Sequence, residues 1–135
     1  MLNAVSDDAP QAAQIASQND LFRRALLDPI AALDASRLGI NGPKIVTSGV
    51  AALGPCFVRA ATKAVATYSA FSSDNDPYGQ HDFGCITLPD GEGEYHSLYW
   101  KIDYYADTGF QWGSEDPADP NQTVRILTIM LSHEY

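Results

Sequence analysis

The stretch Tyr95–Tyr105, with the sequence YHSLYWKIDYY, alternates clearly between apolar and polar residues. One face collects His96, Leu98, Trp100, Ile102 and Tyr104, and the other collects Tyr95, Ser97, Tyr99, Lys101, Asp103 and Tyr105. A period of two is typical of a β-strand with one buried face and one half-exposed face. We therefore predict a strand that turns Trp100 inward and the neighbouring Lys101 and Asp103 outward.

Further strands are expected on both sides of this stretch. Residues 82–88 fit a strand, and the loop PDGEG at residues 89–93 is of hairpin type. Residues 123–131 fit either a strand or a helix, and their β-branched side chains favour the strand. Residues 44–47 are expected to form a short strand before Gly49.

Two main helices are expected in the first half of the chain. Asp7 or Asp8 can cap the first helix, which has Pro10 in its first turn and ends before the Asp28-Pro29 step, with a second helical turn over residues 30–33. The second helix begins at Gly54-Pro55, and apolar residues at three-four spacing predict one buried face over residues 55–71.

The resulting order, α-β-α-β-β-β, predicts an α+β fold in which two main helices pack on one face of a mainly antiparallel four-stranded sheet. A length of 135 residues suits a single domain, residues 1–135. Residues 1–18 are expected to contribute only the start of a peripheral helix. The other face of the sheet is where we expect function to lie.

The charge is concentrated in the second half of the chain. Eight Lys and Arg against seventeen Asp and Glu give a net charge of −9, and residues 72–135 hold twelve of the acids but only two bases, Lys101 and Arg125. Direct nucleic-acid binding is not expected, because phosphate binding needs clustered cations. With neither a secretory signal nor a membrane-spanning stretch, we expect a cytoplasmic protein with two reduced cysteines.

The densest polar cluster is the loop DNDPYGQHD at residues 74–82, which supplies the candidate residues Asn75, Asp76, His81 and Asp82. An EF-hand loop is not expected, since Tyr78 and Cys85 occupy positions five and twelve, although another hard-cation site stays open. Turn formation, with Asn75 and Asp76 capping backbone amides, is the commoner role of such residues. The histidine and cysteine spacings do not fit zinc, and we expect no metal and no cofactor.

Further candidates lie on the outward face of the central strand and in the loop that follows it. Tyr99, Lys101, Asp103 and Tyr105 share that face, where Lys101 and Asp103 can pair. A carboxylate-x-lysine nuclease would need an acid at Tyr99, which weakens that interpretation. Asp116 begins a repeated Asp-Pro turn, and the chain carries no Walker loop, nucleophile elbow or kinase signature.

Three blocks together resemble a family of short bacterial proteins of unknown function that are often carried on plasmids and other mobile elements. The blocks are NDPYGQHDFG at residues 75–84, WKIDYY at residues 100–105, and GSEDPADP at residues 113–120 running into RILTIML at residues 125–131. The resemblance extends over residues 19–135. It implies an accessory role directed at host or competitor machinery, without an established activity.

Two functional hypotheses follow from these observations. The first is a non-enzymatic protein whose acidic, aromatic second half binds a basic partner protein, such as a nucleic-acid-handling or defence protein that it would inhibit. The second is a small metal-assisted hydrolase that uses Asp76, His81, Asp82 and Asp103, with Lys101 as electrostatic stabiliser. Convergence of the acids and His81 in one concavity would favour the enzyme.

Overall fold

The computed structural model describes the backbone of residues 3–135 and the side chains from Pro10 onward. In chain order the elements are α1 (Asn3–Arg24), α2 (Pro29–Leu38), β1 (Lys44–Val46), α3 (Ser48–Ala51), α4 (Pro55–Ala66), β2 (Phe83–Pro89), β3 (Tyr95–Tyr105) and β4 (Val124–Leu131). Short 3-10 turns span Pro120–Gln122 and Ser132–Glu134. The α+β class is confirmed, and residues 124–131 form a strand rather than a helix.

The helices differ from the sequence predictions in extent. Because α1 already begins at Asn3, Pro10 lies inside the helix and not in its first turn, while the side chains of Asp7 and Asp8 lie outside the described ones. The expected single turn after Pro29 is a helix of ten residues, since Asp28 caps its start and Gly39 ends it with a φ of 75°. Helix α3 was not predicted, and α4 stops at Ala66 rather than at residue 71.

The four strands form one sheet in the order β1-β4-β3-β2. β2 pairs antiparallel with β3, β3 pairs antiparallel with β4, and only β1 runs parallel to its neighbour β4. In this register Trp100 of β3 lies between Gly84 of β2 and Ile129 of β4. The mainly antiparallel sheet is therefore as predicted, and β2 and β1 are its two edges.

The core lies between the helices and the inner face of the sheet. Trp100 is fully buried there, as the alternation predicted. Phe22 of α1 and both Phe57 and Val65 of α4 belong to the same buried cluster. The residues that the sheet adds to this cluster are Leu98, Trp100, Ile102, Leu127, Ile129 and Leu131. Burial of this apolar surface is the main stabilising contribution to the fold.

The outer face of the sheet carries the Lys101–Asp103 pair, as expected from the alternation. The ammonium of Lys101 lies 3.0 Å from Oδ2 of Asp103, and both side chains are about one-third exposed. The ring of Tyr99 contacts those of Phe83 and Tyr135, with centroid distances of 5.2 and 5.5 Å. The rings of Phe83 and Tyr135 also contact each other, at a centroid distance of 5.8 Å, so the three aromatic residues form one cluster on this face.

The cysteines agree with the sequence prediction, because Cys56 lies on α4 and Cys85 on β2, and both are exposed thiols without a disulfide partner. Within residues 3–135, no helix is both long and apolar enough to span a membrane.

Candidate functional site

His81 lies near the end of the polar loop, two residues before β2 begins, and its backbone has a φ of 56°. This left-handed conformation is uncommon for a residue with a Cβ and is often found at functional positions. Asp76 holds the loop in place, because its carboxylate accepts hydrogen bonds from the backbone amides of Gln80 and His81 at 3.2 and 3.3 Å. The loop therefore projects the imidazole of His81 toward α1.

The imidazole contacts a carboxylate that α1 supplies. Nδ1 of His81 lies 2.9 Å from Oδ1 and 3.1 Å from Oδ2 of Asp20. Arg23, one helical turn further along α1, donates to the same carboxylate. On the other side of the ring, Nε2 lies 3.6 Å from Oδ2 of Asp76, which is too long for a direct hydrogen bond. His81 is thus flanked by two carboxylates but bonded to one.

An aromatic and cationic stack supports this arrangement. The ring of Phe71 lies parallel to that of His81 at a centroid distance of 3.8 Å. The guanidinium of Arg23 lies over the rings of Phe71 and Trp100, 5.3 and 4.8 Å from their centroids. Arg23 is almost completely buried, and this burial lowers its pKa, with the charge of Asp20 acting in the opposite direction.

Arg23 also ties helix α1 to the end of α4. Its Nη1 donates to the carbonyl oxygens of Val65 and Tyr68 at 2.9 and 3.0 Å. Val65 lies in the last turn of α4 and Tyr68 just beyond it, and the Val65 carbonyl also accepts from the amide of Tyr68 at 3.3 Å. The position of Asp20, and through it that of His81, is therefore fixed by the junction of two helices with the polar loop.

Two cavities adjoin His81. The larger has a volume of about 650 Å³ and is lined by Asp20, Arg23, Arg24, Leu27, Asp28, Ala66, Thr67, Tyr68, Ser69, Phe71 and His81. The smaller, of about 360 Å³, lies toward the middle of α1. Asp20, Arg24 and His81 line both, so the Asp20–His81 contact lies where the two cavities meet. A cavity of this size and mixed apolar and polar lining is typical of small-molecule sites.

A buried polar network lies behind the His81 loop. Asn19, with no exposed surface, donates from Nδ2 to the carbonyl of Gln80 at 2.9 Å and to the hydroxyl of Tyr104 at 2.7 Å. Its Oδ1 accepts from Nε of Arg125 at 2.8 Å. The Tyr104 hydroxyl in turn donates to Oδ2 of Asp82 at 3.0 Å. The network connects α1, the polar loop, β3 and β4 through a single asparagine.

The network also sets the protonation behaviour of Asp82. Burial raises the pKa of Asp82, the hydrogen bond from Tyr104 lowers it, and the nearby charge of Asp76 raises it again. For Tyr104, burial and the negative charge of Asp82 raise the pKa well above its usual value, so this hydroxyl stays protonated and acts as a donor. Asp82 is therefore a partner of Tyr104 rather than a member of the His81 cavity.

The structure brings together two of the four acid–base residues predicted from the sequence. Asp76 and His81 lie side by side, whereas Asp82 turns toward Tyr104. Asp103 pairs with Lys101 on the outer face of the sheet, as described above. Among residues 10–135, no three His, Cys, Asp or Glu side chains form a group that could hold a metal ion. The residues proposed for a metal-assisted hydrolase thus lie on different sides of the sheet.

The remaining predicted residues lie elsewhere. Asn75 closes the turn at the start of the polar loop, where its side chain accepts from the amide of Ser72 and donates to the carbonyl of Ala70, each at 2.8 Å. Asp116 accepts from the side chain of Gln11 on α1 at 3.3 Å. Tyr99 and Tyr105 lie half-buried on the outer sheet face. Asn75 therefore has the capping role that the commoner interpretation predicts.

The acids of the second half are mostly engaged within the protein. Asp90 is typical: it accepts from the amides of Glu92 and Glu94 at 2.8 and 3.1 Å and from Nε2 of His96 at 2.8 Å. Residues 72–135 contain twelve acids. Four of their carboxylates have neither a hydrogen bond nor an ion pair within the described part of the chain: those of Asp74, Glu92, Glu94 and Glu115. Unpaired negative charge is therefore concentrated at the polar loop, the β2–β3 hairpin and residue 115.

The loop with His81 and all strands except the first part of β1 fall within one recognised family. Residues 46–134 match the model of DUF3768, a family described as protein of unknown function. The chain belongs to this family. No curated protein and no solved structure matches the chain. The family assignment agrees with the expected resemblance to proteins of unknown function, and the part that matches begins at residue 46 rather than at residue 19.

The DUF3768 match covers Asp76 and His81 but leaves out helix α1, which supplies Asp20, Arg23 and Asn19. These three residues fit the N-terminal part of the family resemblance, but the sequence did not predict them as site residues. A signal was present: Asn19 and Arg23 are polar residues on the helix face shared by Ile15 and Phe22, and all four are buried. Polar residues within an apolar stripe must find internal partners, so such an interruption indicates a buried polar contact.

Proposed function

We propose that the larger cavity beside His81 binds a small ester and that His81 catalyses its hydrolysis by general acid–base chemistry. The observation that carries this proposal is the 2.9 Å contact between Asp20 and Nδ1 of His81 at the junction of the two cavities. An imidazole oriented by a carboxylate is the usual arrangement of a histidine that moves protons in catalysis.

Asp20 determines which nitrogen of His81 reacts. An ionised carboxylate can only accept hydrogen bonds, so Nδ1 carries the proton that it donates to Asp20. Nε2 is then the ring nitrogen with a lone pair. Arg23 holds the Asp20 carboxylate from the other side, which keeps the imidazole oriented without any contribution from the substrate.

The gap between Nε2 and Asp76 supports a role for water. At 3.6 Å the two atoms do not bond directly, so a water molecule that enters beside them can contact both. In the proposed step this water gives a proton to Nε2 while its oxygen bonds to the carbonyl carbon or phosphorus of the ester. The ester bond then breaks, and the departing oxygen takes the proton from Nε2, which completes the hydrolysis.

Arg24 supports an anionic substrate. It is exposed, it lines both cavities, and none of the described carboxylates lies within ion-pair distance of it. A guanidinium is well suited to carboxylate and phosphate groups because its donors match their geometry. The buried Arg23, by contrast, is already committed to Asp20 and two carbonyls.

The test is hydrolysis of p-nitrophenyl acetate and p-nitrophenyl phosphate, followed by the release of nitrophenolate. We expect His81→Gln to lower turnover at least about a hundredfold, as is typical for loss of a general base. Asp20→Asn should lower kcat more than it raises KM, whereas Lys101→Gln on the outer sheet face should leave both unchanged. The proposal would be contradicted if the protein hydrolysed neither ester and the His81 ring resonances did not shift on adding p-nitrophenyl phosphate.

A second candidate function, binding of a basic partner protein, is supported by aromatic side chains beside the open sheet face. Trp112 is 72% exposed, and the rings of Tyr105 and Phe110 pack edge to face at 5.6 Å. The sheet's cation on this face, Lys101, is neutralised by Asp103. Exposed aromatic residues without unpaired cations favour a positively charged protein partner.

In this second candidate the chain is an accessory protein of a mobile element that acts in the cytoplasm. It would cover the phosphate-binding surface of a nucleic-acid-handling or defence protein and so inhibit it. We expect polylysine, used as the probe, to bind with an affinity that falls as salt rises. Trp112→Ser should weaken this binding, and Tyr78→Ser, which removes an equally exposed aromatic ring from the polar loop, should not. Equal effects of the two substitutions would contradict the candidate.

A further inference from the structure

Strand β2 is an edge of the sheet whose outward backbone groups can be identified from the register. The amide of Ile102 donates to the carbonyl of Asp82, the residue directly opposite, so these two form a hydrogen-bonded pair. Hydrogen-bonded and non-bonded pairs alternate along an antiparallel ladder. Gly84, Ile86 and Leu88 therefore bond to β3.

The alternate residues of β2 turn their backbone groups away from β3. The amides and carbonyls of Phe83, Cys85 and Thr87 point to the open edge, together with the carbonyl of Pro89. β2 has no second neighbour in the sheet, and no backbone hydrogen bond from the rest of the described chain reaches these groups. Three amide donors and four carbonyl acceptors thus lie along the open edge of β2, with the spacing that a further strand needs for pairing with it.

β2 lacks the features that usually protect an edge strand. Its sequence, FGCITLP, contains no charged residue, and its register with β3 runs without a bulge over all seven positions. Proline occurs only at its last position. Natural sheets usually block long, regular edges with charges, bulges or prolines, because such edges pair with other strands. The other edge, β1, has only three residues and begins with a lysine.

We infer that the β2 edge binds an extended, basic segment of a partner protein, which adds to the sheet as a fifth, antiparallel strand. This inference rests on the second candidate function and names the surface that it would use. Main-chain hydrogen bonds supply affinity in strand addition, and side chains supply specificity. The outward backbone groups of Phe83, Cys85 and Thr87 would make those bonds.

The negative charge around β2 favours a basic segment as the strand that binds to this edge. Residues 72–100 contain six acids and no Lys or Arg, and Glu92 and Glu94, in the hairpin that directly follows β2, have carboxylates that are unpaired within the described part of the chain. Lysine or arginine at the end of the added strand that lies beside the β2–β3 hairpin would meet these acids. A second copy of the chain fits less well, because its β2 strand and the residues around it bring acids and no Lys or Arg to this edge.

The first test uses hydrogen exchange on the full chain. In the free protein the amides of Cys85 and Thr87 should exchange much faster than those of Ile86 and Leu88, which bond to β3. The probe is a synthetic peptide as long as β2, of alternating valine and threonine with lysine at both ends. We expect it to slow exchange at Cys85 and Thr87, and we expect no effect from the same peptide with alternate backbone nitrogens methylated.

The second test changes the edge itself. Thr87→Pro removes an outward amide while leaving the ladder to β3 intact, a position where proline is tolerated. Thr87→Val keeps the amide and is the matched control. We expect Thr87→Pro to weaken binding of the lysine-ended peptide about tenfold, the usual effect of losing one hydrogen bond, and Thr87→Val to leave it unchanged. The methylated peptide gives the same information if Thr87→Pro fails to fold.

Several results would overturn the inference. Equal binding of a peptide with glutamate at both ends would remove the charge argument. Dimerisation in analytical ultracentrifugation, with protection of the same amides, would make a second copy the occupant. Binding that survives both Thr87→Pro and backbone methylation but is lost in Trp112→Ser would assign the partner to the outer face. That last result would leave the second candidate function standing while removing the edge as its surface.

Discussion

The two faces of the sheet use polar residues in opposite ways. On the inner face Arg125 has no exposed surface and donates to Asn19, Gln18 and the carbonyl of Pro117, at distances from 2.8 to 3.1 Å. On the outer face Lys101 remains in contact with solvent and has one ion-pair partner, Asp103. A polar group removed from water depends entirely on its internal partners, whereas an exposed one can return to water.

This difference indicates that the polar residues of the inner face, and not those of the outer face, determine the structure. The inner polar residues connect elements that are distant in the sequence: Asn19 lies 61 residues from Gln80 and 106 from Arg125. Together they fix the loop that carries His81 against α1 and β4. The outer pair lies within one strand and connects nothing beyond it. Substitutions on the inner face should therefore change both stability and the His81 site, whereas those on the outer face should change stability only slightly and leave the site unchanged.

The largest effect is expected for Arg125→Met. Methionine has a similar length, but it leaves Asn19, Gln18 and the carbonyl of Pro117 without their buried donor. We expect the free energy of unfolding to fall by about 3 kcal/mol, as is typical when several buried polar groups lose their hydrogen-bond donor. Urea denaturation measures the change. Lys101→Met, which removes a cation from the outer face, is the control, and equal losses in both variants would refute the contrast.

A smaller loss is expected for Gly84→Ala on the inner face. A Cβ built at Gly84 lies 2.4 Å from Nε1 of Trp100 and 2.8 Å from the ring of Tyr68, so both rings must shift. Overpacking of this kind costs about 1–3 kcal/mol. Gly91→Ala is the matched control, because a Cβ at Gly91 in the β2–β3 hairpin meets nothing within 4 Å. Thermal unfolding compares the two variants. A melting temperature unchanged by Gly84→Ala would contradict the prediction, because it would show that the rings of Trp100 and Tyr68 can shift without cost.

The same contrast explains which parts of the molecule were predictable from the sequence. Alternation in residues 95–105 predicted the burial of Trp100 and the exposure of Lys101 and Asp103, because the period of a strand is a local property. Asp76 and His81 were found because they share one polar loop. Asp20 was not, because its contact with His81 depends on how α1 packs against that loop, and no local periodicity encodes this packing.

The pH dependence of stability should differ in sign between a carboxylate whose pKa is raised by burial and one whose pKa is lowered by hydrogen bonds. Burial raises the pKa of Asp82 above its value in the unfolded chain. The contribution of Asp82 to the free energy of unfolding is therefore fully present below the unfolded pKa and is lost as pH rises through the folded pKa. Asp82→Asn keeps an oxygen that accepts from Tyr104, and because asparagine does not ionise, the variant does not lose stability as pH rises. We therefore expect the variant to be more stable than the wild type at neutral pH, with the difference vanishing in acid.

Asp90, in the β2–β3 hairpin, supplies the opposite case. The hydrogen bond from His96, together with those from the amides of Glu92 and Glu94, lowers the pKa of Asp90. Its contribution is therefore present above the unfolded pKa and is lost as pH falls through the folded pKa. Asp90→Asn should make the protein less stable than the wild type at neutral pH. Urea denaturation across the pH range measures both variants, and shifts of the same sign would contradict the assignment.

The smallest effect is expected for the Lys101–Asp103 pair. A double-mutant cycle with Lys101→Gln and Asp103→Asn should give a coupling energy of about 0.2–1 kcal/mol, the usual value for an exposed ion pair. The coupling should also fall as salt is added, because solvent ions screen the attraction between exposed charges. A coupling near that of a buried pair would mean that this face is covered in solution, since only exclusion of water can strengthen an ion pair of this geometry.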